Sequence, residues 1–393
     1  MNPSIRARDF QTGRWINLLI ENRQIAAVDR LESTPSSSSP DDLFIAPAFW
    51  DLQTNGRWCV SYSSPDLSTL QVAEIVRAQG PLGTARLCPT LISAPTESFL
   101  HGLSTIARAC DEDRDIARRV VGIHLEGPYL SSLEGYRGAH PLSALRDPSW
   151  PEFERFQQAA GGRIVLTTLA PERPGAIPFI RKAVASGVRV ALGHTAADAP
   201  TLRAAVDAGA TLSTHLGNGV ASTLPRHPNP IWEQAALDRL AASLIADGHH
   251  LDPSTLRVLL RAKTSSRIIL VSDASPLAGM PPGRYGAWEV HASGKIIVTD
   301  TPYLAGSNQS LETGINNLLS LGDLSISEAI ATVTTNPARL LGHPAPSLEP
   351  GRPANLVLFH QSTTRPTPAI RLAQTCVDGR WISAVDDAPS PWS

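Results

Sequence analysis

Histidines and carboxylates recur in this chain at the ends of short apolar runs. His124 and Glu126 close VVGIHLE, His194 closes VRVALGH and His215 falls in STHL; Asp247, His249 and His250 belong to ADGHH, and Asp273 to VSDA. Two neutral imidazoles and one carboxylate suit a single divalent cation with a position left open for water. Glu126, His194 and His215 are that set. Zinc is the first choice, and iron or manganese also accepts these nitrogen and oxygen ligands. A cation so held acidifies water and polarises a carbonyl. Asp273 then stands where a general base is needed, taking a proton from the water and passing it to a leaving group. His250 is a candidate for contacting the substrate carbonyl or a nearby anion. Adjacent strand residues face opposite ways, so at most one of His249 and His250 enters such a site. His124, two residues before Glu126, reads as a core or supporting residue, and Asp247 as one that orders its loop.

Other segments bear on the same chemistry. The first apolar run ends DLQTNG. An H-x-H pair there would allow a second metal, but Gln53 and Asn55 are uncharged amides and poor zinc ligands. The expectation is one metal, with Gln53 bonded to its water or orienting a ligand. In GNGVASTLPRHPNP (217–230) the backbone N–H groups near Asn218 and Gly219 can cradle an anion, and Arg226 can fork onto phosphate or be an ordinary solvated surface residue. EGYRGAHP carries Arg137 and His140 after Glu126; His140 is either a donor to a sugar hydroxyl or a plain loop histidine. LAGSNQS (304–310) either shapes an acyl pocket or starts a helix at Ser307.

Residues so far apart converge only if the runs that carry them share one end of one sheet. Eight candidate strands fall at 44–53, 85–92, 120–126, 164–170, 188–194, 210–216, 242–247 and 267–274, with stretches of helical apolar spacing between them. Ser68, Asp198 and Asp252 are of the type that caps a helix start. Eight β-to-α alternations predict a (β/α)8 TIM-like barrel, whose strand C-termini meet at one mouth. An open doubly wound sheet would carry a G-x-G-x-x-G turn, and none follows any of these runs. Short strands at 5–31, 351–359 and 375–382 predict a small β-sandwich domain built from both chain termini. The expected divisions are 1–46 and 346–393 for that domain and 47–345 for the barrel. A Ser/Pro loop is expected at 33–42, and two closing helices at 310–342, the second broken at Asn336-Pro337.

Composition excludes other classes. Of 393 residues 42% are hydrophobic and 18% charged, which rules out wholesale disorder. Lys and Arg number 34 against 36 acidic residues, a net charge of -2, so no basic field recruits nucleic acid. Cys59, Cys88, Cys110 and Cys376 are too scattered for a disulfide framework or a paired metal knuckle. No apolar run of about 18 residues and no N-terminal signal-like segment occurs, so a soluble, cytoplasmic protein without a membrane partner is expected.

In this order, HLEGP, LAPE, GHT, THLGNG, ADGHH and SDA resemble the N-acetylglucosamine-6-phosphate deacetylase family of the amidohydrolase superfamily, over nearly the whole chain. The resemblance implies removal of acetate from the 2-acetamido group of a phosphorylated amino sugar; the alternatives are an amidohydrolase acting on a different N-acyl sugar or other amide, and a barrel that binds a sugar without turnover. It implies Glu126, His194 and His215 as metal ligands, Asp273 as base and then acid, and His250 as the group polarising the acetamide carbonyl. It further implies His140 as a sugar contact, Asn218, Gly219 and Arg226 as the phosphate set, and a homodimer in which the neighbouring subunit meets part of the phosphate. Gln53 and Asn55 resemble the single-metal branch. The sequence departs from the pattern at Gly219-Val220, around Arg226 and after LAGS, all near the substrate.

Overall fold

The computed structural model describes residues 4–31, 43–362 and 368–385; the expected Ser/Pro loop at 33–42 lies outside them. Eight parallel strands run in sequence order around a barrel: Phe49–Thr54, Thr84–Ile92, Ile123–Glu126, Ile164–Leu169, Arg189–Leu192, Leu212–Ser213, Ala241–Leu244 and Ile268–Leu270. Alternate residues of these strands, including Leu52, Cys88, Leu166, Ala191, Leu212 and Ile269, form one buried cluster inside the ring. The opposite faces pack on helices such as Thr96–Glu112 and Pro253–Lys263. Each fully buried aliphatic side chain contributes about 1.5–3 kcal/mol. The expected caps form: Ser68 makes a reciprocal capping box with Gln71, Asp198 accepts from the Thr201 N–H, and Asp252 from those of Ser254 and Thr255.

The seam between the first and eighth strands is closed differently from the other ladders. One parallel bridge joins Thr54 to Ala274, and the Asn55 N–H donates to the Ala274 carbonyl at 2.8 Å. Below it, the Asp51 carboxylate accepts from the backbone N–H groups of Ser272 and Gln53, both at 3.2 Å. Burial pushes the Asp51 carboxyl up to about 7 against the pull of these hydrogen bonds.

The apolar run at 44–53 is two strands rather than one. Leu43–Pro47 belongs to the small domain, pairing parallel with Ser4–Asp9 and antiparallel with Leu356–Ser362, and the chain enters the barrel after Ala48. An unbroken apolar run carries no mark of such a transfer. The small domain's ladder is continuous through seven strands from both ends of the chain. The closing region holds three helices, Leu311–Ser320, Ile326–Ala331 and Thr335–Leu340. Pro337 sits in the first turn of the third, where its missing N–H costs nothing, so it helps start a helix instead of breaking one. A three-stranded antiparallel sheet, Gly283–Tyr285, Trp288–Val290 and Ile296–Val298, follows the eighth strand and adds to the expected elements. Its alternation around Gly286 and Gly294 was the available signal. Among the described residues no helix is long and apolar enough to cross a membrane, and all four cysteines are free.

Candidate active site and metal centre

A cavity of about 230 Å³ opens at the C-terminal ends of the barrel strands. Glu126, His140, His194, His215, Asn218, Gly219, His250, Asp273 and Asn55 all line it, so residues spread over more than two hundred positions share one wall. Trp288 and the segment 302–306 enclose it from the added sheet and the loop that follows.

Two imidazole nitrogens converge on one carboxylate oxygen. His215 Nε2 lies 2.9 Å and His194 Nε2 3.3 Å from Glu126 Oε1, and all three side chains are buried. Burial opposes the charge on Glu126, but the hydrogen bonds of His194 and His215 and the charge of His215 outweigh it and hold its carboxyl well below the ordinary range. Burial likewise opposes protonation of His215, and Glu126 outweighs it. The cluster thus favours a positive charge at its centre. The hydrogen bond of His194 Nδ1–H to the Tyr136 carbonyl at 2.9 Å fixes the ring so that Nε2 points at Glu126. It is the orientation a metal-ligating histidine takes. The donor set fits a divalent ion.

His140 also closes on this group: its ring centre lies 4.4 Å from that of His194, and a nitrogen of His140 falls within 4.8 Å of ligand atoms of Glu126 and His194. Its hydrogen bonds separate its role from that of His215. His140 Nδ1 accepts the backbone N–H of Ser93 at 3.3 Å and contacts Ser93 Oγ at 2.9 Å. Burial, with His194 next, pushes its pKa down to about 3. A neutral ring whose Nδ1 is an acceptor carries its proton on Nε2 and is therefore a donor, not a ligand. His215, with Nε2 directed at Glu126, offers the third donor of the candidate set.

Asp273 is held at one oxygen. Asn55 Nδ2 donates to Asp273 Oδ1 at 2.7 Å and Gln53 Nε2 donates to the same atom at 3.1 Å. Gln53 is thus turned to Asp273 and does not line the cavity, whereas a water or ligand contact was expected of it. Burial and then the negative charge of Glu126 raise the Asp273 pKa to about 6. Asn55 Oδ1 is buried with no partner among the described residues, a cost of about 1–3 kcal/mol.

His250 lines the cavity, and its Nδ1 lies 2.8 Å from Asp247 Oδ2. Asp247 also accepts from the backbone N–H groups of His249 and His250 and from Ser307 Oγ, so it orders this loop. Nδ1–H is given to Asp247, which fixes the ring and leaves Nε2 as the nitrogen free of that bond. Ser307 ties the two loops and begins no helix; the helix cap is Ser310. His249 is not part of the lining. His124 is buried between Thr168 Oγ1 at 2.8 Å and Thr90 Oγ1 at 3.5 Å, kept neutral by burial with a pKa of about 4. Arg137 braces the His140 carbonyl. Glu172 of LAPE accepts from Thr195 and Ala196, fixing the turn after His194. Arg226 is exposed and outside the lining of its own chain's cavity.

His194, His215 and Asp273 all have left-handed backbone, with φ of 51°, 30° and 49°. Such positions cost about 1–3 kcal/mol each and persist where surrounding contacts enforce them. They turn the chain abruptly at the strand ends. Glycines make the room: a Cβ on Gly219, itself at φ 61°, would lie 2.8 Å from His194 Nδ1. Replacing Gly219 by Ala is expected to displace the His194 ring and weaken metal affinity about tenfold, read by competition with a chelating dye.

The amidohydrolase family model matches residues 44–382. An N-acetylgalactosamine-6-phosphate deacetylase from Escherichia coli is 32% identical over 365 residues, covering 91% of this chain and 95% of the relative. An N-acetylglucosamine-6-phosphate deacetylase from Bos taurus is 33% identical over 359 residues, covering 88% and 84%. The crystal structure of N-acetyl-D-glucosamine-6-phosphate deacetylase from Mycobacterium smegmatis superposes with a TM-score of 0.83 at 30% identity, covering 96% of this chain and 99% of that one.

Proposed function

From the premise that the chain belongs to the amidohydrolase family, in its N-acetylglucosamine-6-phosphate deacetylase branch, we propose that it hydrolyses the acetamide of N-acetylglucosamine 6-phosphate, releasing acetate and the free amine. The observation that carries this reading is the sharing of one cavity by a buried base, a neutral imidazole donor and a carboxylate–imidazole cluster.

Glu126, His194 and His215 would hold one divalent cation, zinc by the character of the ligands. When bound, it supplies Lewis acidity to the acetamide carbonyl and makes water more acidic. Asp273 takes the proton of the attacking water and returns it to the leaving nitrogen as the C–N bond breaks. His140 donates its Nε2–H to the carbonyl oxygen as negative charge develops there. His250, tied through Nδ1 to Asp247, accepts a sugar hydroxyl. The Asn218 side-chain amide, whose Nδ2 is buried without a partner among the described residues, and the backbone N–H of Gly219 serve the phosphate. Arg226, exposed and outside its own chain's cavity, serves the phosphate of a neighbouring copy in a homodimer. This chemistry suits a cytoplasmic enzyme acting on a small phosphorylated sugar.

Acetate release by the zinc-loaded chain tests the reading against N-acetylglucosamine 6-phosphate, its galacto epimer and unphosphorylated N-acetylglucosamine. The gluco phosphate is expected to have the highest kcat/KM. A preference for the galacto epimer, the substrate named for the E. coli relative, moves the assignment to that sugar. Equal rates with and without phosphate remove the phosphate from it.

A further inference from the structure

Both amides at the end of the first barrel strand are spent on one atom. Gln53 Nε2 and Asn55 Nδ2 donate to Oδ1 of Asp273, and among the described residues no hydrogen bond reaches Oδ2. We propose that Gln53 and Asn55 are positioning residues for the base: their two neutral N–H groups saturate Oδ1, fix the carboxylate's rotation, and leave Oδ2 as the single oxygen that accepts and returns the proton. The role of base belongs to the reading above; the fixing of its geometry by these two amides is the addition.

Three features support the assignment. A carboxylate attached through one rotatable bond beyond Cβ offers either oxygen unless something distinguishes them. Here the distinction is complete, two donors against none. The donors are neutral, so they orient the carboxylate without placing a full positive charge on it, and the electron pair at Oδ2 stays available to a proton. The orientation of Asn55 is also enforced at a cost. Turning Nδ2 to the carboxylate leaves Asn55 Oδ1 buried and unpartnered among the described residues, which packing alone would not favour. Both amides reach Asp273 across the seam of the ring, from positions 220 and 218 residues away in sequence.

The test uses the zinc-loaded full chain with N-acetylglucosamine 6-phosphate. Asn55→Leu and Gln53→Met keep the size closely and remove the donor; Asn55→Ser retains a shorter one. Each isosteric variant is expected to lose about 30-fold or more in kcat with KM changed by less than about threefold and one metal retained per chain. Asn55→Ser is expected to recover part of the loss. An unchanged kcat in both isosteric variants, or a loss that follows metal content or thermal stability alone, would overturn the proposal. A wild-type chain that releases no acetate from any of the three sugars would sink the functional reading instead. The hold on Oδ1 is then judged by a crystal structure of Asn55→Leu, in which the Asp273 carboxylate is expected to have rotated; an unmoved carboxylate refutes it.

Discussion

Replacing Asp273 by Asn should lower kcat by about 10³-fold or more while leaving one metal equivalent bound per chain, because the amide keeps the shape but cannot take the proton. Metal analysis beside steady-state kinetics checks both halves, and parallel loss of metal and activity would reassign Asp273 to coordination. The same residue sets the acid limb of the pH profile. Burial and the charge of Glu126 lift its pKa to about 6, and the working form is the carboxylate. Activity therefore falls as pH drops through that value and the base becomes protonated. A bound cation adds positive charge and stabilises the carboxylate, so the midpoint of the loaded enzyme lies at or below about 6. In Asp273→Asn the residual activity should lose this limb.

The second large effect separates a donor from a ligand. Substituting His140 by Ala should lower kcat by about 10²–10³-fold, the loss typical of an oxyanion donor, with metal content intact. Substituting Glu126 by Gln should empty the metal site and abolish turnover together. Distance alone groups His140 with Glu126 and His194; the Ser93 N–H on its Nδ1 is what removes it from the ligand set. Metal loss in His140→Ala as complete as in Glu126→Gln would put His140 back among the ligands.

Much of this arrangement was legible in the sequence because a parallel barrel gathers its strand C-termini whatever loops lie between them. Glu126, His194, His215, His250 and Asp273 stand out as chemical residues at the ends of apolar runs, and the cavity joins all five. The rest depended on facts that spacing does not carry. The proton on His140 is fixed by Ser93, 47 residues upstream, and the facing of Gln53 by an aspartate 220 residues downstream. The left-handed backbone at His194, His215 and Asp273 is imposed by neighbours, and nothing in those residue types announces it. The passage of the chain from the small domain into the barrel at Ala48 falls inside an uninterrupted apolar run, where hydrophobicity is the same on both sides.

The seam at Thr54 and Ala274 has a consequence for synthesis. Asp273 and the two amides that hold it come from the youngest and oldest strands of the ring, so a ribosome has made more than two thirds of the polypeptide before they can meet. Asp273 therefore gains both amide partners only when the ring closes, and a chain halted before the eighth strand lacks that carboxylate altogether.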